Sequence, residues 1–209
     1  MRVFDIFRSI QGESTRAGLA MDFVRLAGCD LECSYCDTPE ARDPGAGRDM
    51  TVAEVLAALP SPALPCVEIT GGEPMLQIWD VNALAAALLR RGRTVLIETS
   101  GAHPIDGLDA RPVRIVDVKT PGSGMASRMC WTNLDRLQPH DEVKFVLTGR
   151  EDYDWAKQVA ARYDLAERVA VLFSPGHPSL EGRTLAEWIV ADALSVRLNL
   201  QIHKYLRLP

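Results

Sequence analysis

Cys66-Val67-Glu68-Ile69-Thr70, Gly71-Gly72-Glu73-Pro74, the segment from Met75 to Arg91, and Thr94-Val95-Leu96-Ile97-Glu98 read as strand, glycine turn, helix and strand. The helical part is carried by Ile78, Val81, Leu84, Ala85 and Leu88, which recur at helical spacing, and Gly92 suits its C-terminal cap. Outward from this unit the pattern repeats. Phe23–Ala27 is an apolar strand upstream, and Val52–Leu59 is a short helix with Thr51 at its start, ended by the proline-rich run Pro60–Pro65. Downstream come strands at Arg114–Val118, Glu142–Leu147 and Val169–Phe173. Helices are expected from about Asp152 and over Thr184–Val196, with a last strand at Leu198–Ile202. Strands alternating with helices predict a parallel α/β sheet with right-handed crossovers. A closed eight-stranded barrel needs ~250 residues. The 209 residues here therefore predict an incomplete, TIM-like barrel of about six parallel strands, with residues 1–209 as one domain. The polar loop Asp37–Met50 carries no predicted element.

Composition narrows the function. With 47% hydrophobic and 24% charged residues the chain reads as an ordinary globular protein. A net charge of −5 speaks against a general nucleic-acid binder, which needs a basic surface. The longest apolar stretch, near Val81–Leu89, is well short of the ~20 residues of a membrane span. Met-Arg-Val-Phe-Asp-Ile makes a poor signal peptide, because an acid interrupts its apolar part. A cytoplasmic protein that binds neither nucleic acid nor membrane is expected. Of the five cysteines, Cys66 and Cys130 stand alone and read as packing residues. Cys29, Cys33 and Cys36 cluster, and in a reducing compartment such a cluster is metal-binding or catalytic.

Three thiolates are one ligand short of a closed site. Open readings are a zinc site completed from elsewhere, a redox pair, or an iron–sulfur cluster with one unligated iron. The cysteine loop follows one predicted strand, Gly71-Gly72-Glu73-Pro74 the next, Glu98-Thr99-Ser100-Gly101 the third, and Asp117-Val118-Lys119 ends the fourth. In a parallel barrel these strand ends open on one face, so the four clusters form one site. Asp37-Thr38 alone reads as a turn or cap, Thr70 as a packing threonine or a contact, and Arg25 as an inward or an edge charge. His103 and His140 read as surface residues.

The Cys-x₃-Cys-x₂-Cys loop, with Tyr35 before its last cysteine, resembles the radical S-adenosylmethionine superfamily. Gly71-Gly72-Glu73-Pro74 matches the same superfamily independently. Ile10-Gln11-Gly12-Glu13-Ser14 and Gln201-Ile202-His203-Lys204-Tyr205-Leu206 extend the likeness from Phe7 to the last residue. The whole set resembles the 7-carboxy-7-deazaguanine synthase family. That resemblance implies a [4Fe–4S] cluster on the three cysteines, S-adenosylmethionine used as a true cofactor, and magnesium. It implies a lyase that contracts the ring of 6-carboxy-5,6,7,8-tetrahydropterin with loss of ammonia, in the making of the queuosine precursor. It places the cofactor against Tyr35, Gly71, Gly72, Glu73, Glu98 and Ser100, with Asp117, Val118, Lys119 and, more loosely, Ser174 beyond. Substrate is expected at Ile10, Gln11, Gly12, Glu13, Arg25, Thr70, His203 and the carboxylate of Pro209. Magnesium is expected on Thr38, with Asp37 holding a bound water. A homodimer and an electron donor such as flavodoxin are implied as partners. Two rivals stand beside it: a glycyl-radical activating enzyme, and a non-enzymatic iron–sulfur or zinc module.

Overall fold

The computed structural model describes residues 1–208. Among them, nine strands form one sheet in the order β3-β1-β2-β4-β5-β6-β7-β8-β9. Its centre is β2 (Ala20–Leu26), β4 (Cys66–Gly71), β5 (Thr94–Thr99), β6 (Val113–Asp117), β7 (Glu142–Leu147) and β8 (Ala170–Pro175), every neighbouring pair parallel. The two-residue β9 (Arg197–Leu198) continues the parallel run. At the other edge β1 (Arg2–Ile10) and β3 (Arg48–Asp49) are antiparallel additions. The first and last strands do not pair, so the sheet curls into the expected partial barrel and stays open.

β6 and β7 are buried along their whole length, as parallel strands covered on both faces are. The outer face packs on α1 (Val52–Ala58), α2 (Ile78–Leu89), α3 (Arg150–Arg162), α4 (Leu165–Arg168) and α5 (Gly182–Ala191), around a core that includes Ile69, Leu84, Ile97 and Phe145. Thr51 caps α1 reciprocally with Glu54. The inner face has a smaller core of Met21, Phe23, Leu96, Val113 and Ile115. Successive residues of a strand point to opposite faces. Two positions beyond those core residues therefore put Arg25, Glu98 and Asp117 on the same inner face, nearer the strands' C-terminal ends.

Several expectations need correction. β1 is a full strand, where only an apolar start was expected. The helix placed from Met75 begins at Ile78, because Pro74–Gln77 forms a tight 3₁₀ turn capped by the Glu73 carboxylate. The helix placed to Val196 ends at Ala191. The strand expected at Leu198–Ile202 is paired only through Leu198, and Ile202–Leu206 is a short helix, α6. The loop Asp37–Met50 holds two 3₁₀ turns and β3.

The tip of the β1–β2 hairpin crosses to β7, where the Thr15 N–H and hydroxyl donate to Glu142 at 2.9 and 2.6 Å. The Ile202 N–H donates to the Gly12 carbonyl at 3.1 Å. The chain's two ends thus meet over the strand ends.

Candidate active site

The cysteine loop leaves β2 at Gly28, whose φ of +99° suits glycine. Its base is tied by Gly28 N–H to Ala41 carbonyl (2.8 Å) and Cys29 N–H to Arg42 carbonyl (3.0 Å). Its tip is tied to the segment after β6, the Ser34 N–H donating to the Ser123 carbonyl at 3.0 Å. Cys29, Cys33 and Cys36 are all free thiols, half-buried, and all line one cavity. Burial pushes the Cys29 and Cys33 thiols up, so it is bound iron that would hold them as thiolates. Among the described residues no three His, Cys, Asp or Glu side chains converge as ligands of a single ion.

Gly71 and Gly72 also line that cavity, but their lack of side chains serves a second contact. A Cβ on Gly71 would lie 2.2 Å from the Leu26 nitrogen, and one on Gly72 would lie 2.1 Å from the Gly28 carbonyl oxygen. The end of β4 is pressed against the base of the cysteine loop, with Gly72 N–H donating to Leu26 carbonyl and Glu73 N–H to Gly28 carbonyl. Glu73, expected beside the cofactor, is fully buried behind this contact. Its carboxylate accepts from Met75 N–H (2.9 Å), the Thr99 hydroxyl (2.7 Å) and Ser100 N–H (2.7 Å), so it sets strand ends and does not line the cavity.

Tyr35, Ser100, Asp117 and Lys119 line the cavity on the same side as the cysteines. Among the described residues two buried oxygens there have no partner, the Tyr35 hydroxyl and Asp117 Oδ1. Buried polar groups are seldom left so, which marks a place for a polar ligand. Lys119 donates to Asp117 Oδ2 at 2.9 Å and lies 5.7 Å above the Tyr35 ring. Val118 and Ser174, expected beside the cofactor, do not line the cavity. Val118 is buried with its N–H on the Lys144 carbonyl, and the Ser174 hydroxyl accepts from Asn199. Each is fully occupied within the protein.

The opposite wall comes from the hairpin tip: Ile10, Gln11, Gly12 and Glu13 all line the cavity, as do Thr70 and His203, while Glu98 lines it from the end of β5 beside Ser100. A Cβ on Gly12 would fall 1.8 Å from His203 Nδ1, so glycine there lets the imidazole lie against the backbone. The Gln11 amide is held at both ends, donating to Glu68 and accepting from the Glu13 N–H at 3.0 Å. At the mouth, Arg25 stands over the Phe7 ring, which stacks on Phe23, and donates from Nη1 to the Thr38 hydroxyl at 2.8 Å. Asp37 faces Lys204 at 3.6 Å. Crowding opposes its ionisation, but Lys204, Lys144 and Arg25 outweigh that and hold its carboxyl low. Thr38 itself does not line the cavity, and its hydroxyl accepts from Arg25, whose charge opposes a second cation there. Pro209 lies outside the described residues.

The 7-carboxy-7-deazaguanine synthase of Chlorobaculum tepidum is 43% identical over 209 residues, covering 99% of this chain and 94% of that protein. The enzyme of the same name from Koribacter versatilis is 40% identical, covering 100% and 98%. This chain belongs to the 7-carboxy-7-deazaguanine synthase family. The Radical SAM superfamily matches residues 24–116, the stretch from β2 through β6 that carries the cysteine loop. A crystal structure of QueE from Escherichia coli superposes with a TM-score of 0.77 over 95% of this chain and 92% of that one, at 22% identity. That likeness shows the fold. None of the described helices is long and apolar enough to cross a membrane.

Within this member of the 7-carboxy-7-deazaguanine synthase family, sequence reasoning missed two inward charges, Glu68 and Lys144. Both sit mid-strand among apolar residues, and a charge inside a wholly buried strand was the available signal. Lys144 reaches Glu13 (3.2 Å), Glu98 and Asp117 (3.6 Å). Glu68 is 2% exposed and forms no ion pair within 4 Å among the described residues; Lys144 pulls its carboxyl down only from farther off. Burial, with Glu98 and Glu13 nearby, pushes its carboxyl well above the usual range. A carboxyl that holds its proton more tightly folded than unfolded makes stability fall as pH rises from the unfolded value toward the folded one. Glu68→Gln is therefore expected to stabilise the protein near neutral pH and leave it unchanged at acid pH. Thermal melts at several pH values would read this, and a gain independent of pH would contradict it.

Proposed function

We propose that this protein is a 7-carboxy-7-deazaguanine synthase, a lyase that uses S-adenosylmethionine catalytically. What carries the reading is that, in a chain of this family, the cysteine loop and the Gln11–Glu13 segment open on one cavity from opposite walls. When bound, the cluster and S-adenosylmethionine would supply radical hydrogen-atom chemistry at C6 of 6-carboxy-5,6,7,8-tetrahydropterin, for ring contraction with loss of ammonia.

In this reading the chain's own residues hold and orient. Cys29, Cys33 and Cys36, all on the cavity wall, would hold the iron. Backbone at Gly71 and Gly72 lies next to the methionine end, while Tyr35, Ser100, Asp117 and Lys119 face the adenosine. The unpartnered oxygens of Tyr35 and Asp117 support that side of the assignment. Gln11, Glu13, Thr70 and the backbone at Gly12 meet the donors and acceptors of the pterin edge, with His203 beside them. Arg25, over the Phe7 ring, suits the substrate carboxylate through a two-pronged contact. Turning to that carboxylate would release Thr38, the residue proposed for magnesium, with Asp37 beside it. A homodimer and a small acidic flavoprotein donor complete the proposal.

Arg25→Lys keeps the charge but loses the planar fork. It is expected to raise KM for the pterin by roughly 10- to 100-fold, the worth of one charge-assisted hydrogen bond of about 1.5–3 kcal/mol, with a smaller fall in kcat. An unchanged KM would remove Arg25 from the substrate site. The reading as a whole is tested by giving the cluster-loaded, anaerobic protein the pterin, S-adenosylmethionine and a reductant. Deazaguanine and ammonia are expected. A glycyl radical on an added protein partner, with no deazaguanine, would favour the activating-enzyme alternative.

A further inference from the structure

Lys144, on β7 and with 5% of its side chain exposed, is the cation shared by three carboxylates that belong to different parts of the site. Glu13 stands on the hairpin tip, on the substrate wall. Glu98 and Asp117 stand at the ends of β5 and β6, on the cofactor wall. Asp117 has Lys119 as a second cation at 2.9 Å. Glu13 and Glu98 have Lys144 alone among the described residues. The other cations nearby are engaged at the mouth, Arg25 on Thr38 and Lys204 on Gln201 and Asp37.

We infer that Lys144 makes the two ligand sites cooperative, so that cofactor and substrate each tighten the other's binding. The inference rests on the function proposed above. A carboxylate at a strand end is a natural acceptor for a ribose diol, and two hydroxyl donors at Glu98 take over part of what Lys144 supplies there. The released ammonium turns further to Glu13, already 3.2 Å away, and draws the hairpin tip onto the pterin edge. Gln201 moves with it, since its amide donates to Glu13 at 3.1 Å. Linkage makes the effect reciprocal, and couplings of this kind are typically about 5- to 150-fold.

The test is equilibrium dialysis of labelled S-adenosylmethionine against cluster-loaded, unreduced enzyme, with and without 6-carboxy-5,6,7,8-tetrahydropterin. In the unaltered protein the pterin is expected to tighten cofactor binding about tenfold, within that range. In Lys144→Met both ligands are expected to bind without influencing each other. Because that variant leaves Glu13 and Glu98 uncompensated and can fail to fold, Glu13→Gln serves as the second variant. It leaves Lys144 on Glu98 and Asp117; because Glu13 also meets the pterin, the variant is dialysed at pterin concentrations that saturate it, where it is expected to lose most of the coupling. Independent binding in the unaltered protein, or full coupling in either folded variant, overturns the inference. Failure of the unaltered protein to bind S-adenosylmethionine at all would instead overturn the proposed function beneath it.

Discussion

Cys33→Ala is expected to fold normally, to hold no stable cluster and to form no product above background. The loop does not depend on the thiol for its shape. Its base is closed by Gly28 and Cys29 on Ala41 and Arg42, its tip by Ser34 on Ser123, and its inner turn by the Cys36 N–H on the Cys33 carbonyl. All of these are backbone contacts that alanine preserves. What is lost is one of three thiols on the cavity wall, and two cannot hold a cluster that already leaves one iron open. Iron analysis and visible absorption read the first effect, and the thermal midpoint of the cluster-free protein reads the second. A variant that keeps iron and activity would mean that the cluster sits elsewhere.

Gly72→Ala is expected to lower stability by about 3 kcal/mol, since the added carbon overpacks a site that cannot open. The obstacle is backbone: the Gly28 carbonyl oxygen at 2.1 Å and its carbon at 2.5 Å, with the Ala41 oxygen at 3.0 Å. For a chain of this length that corresponds to about 6–12 °C in Tm. Moving the end of β4 away also displaces the base of the cysteine loop, so cluster occupancy should fall together with Tm. Gly149→Ala is the control, because nothing lies within 4 Å of its added carbon; as it replaces only the N-cap of α3, it should cost about 1 kcal/mol or less. Equal melting points for the two variants would remove the packing argument.

The sequence made the parallel strands legible because each is a short apolar run closed by a distinctive polar segment. The motifs at four strand ends then forced one site, and the cavity gathers residues from all four of those segments. What stayed hidden has physical causes. β1 does not alternate cleanly between buried and exposed positions, since one face packs in the barrel and its edge is half-covered. Glu73 is expected beside the cofactor from the resemblance, whereas three internal donors claim it. Lys144 was hidden inside Glu142–Leu147, a strand recognised by its apolar residues. Only the register of β7 beside β6, which sets Lys144 opposite Asp117, shows what that charge is for. The tail was misread because Leu198 and Leu200 suggest a strand, while Gln201 and His203 turn back onto the hairpin tip.

The most direct test counts products against cofactor. Cluster-loaded protein is given excess 6-carboxy-5,6,7,8-tetrahydropterin, limiting S-adenosylmethionine and a reductant, without oxygen. Many molecules of 7-carboxy-7-deazaguanine, each matched by one ammonia, are predicted for every S-adenosylmethionine lost. Cleavage of the cofactor to methionine and 5′-deoxyadenosine with no deazaguanine formed would contradict the account.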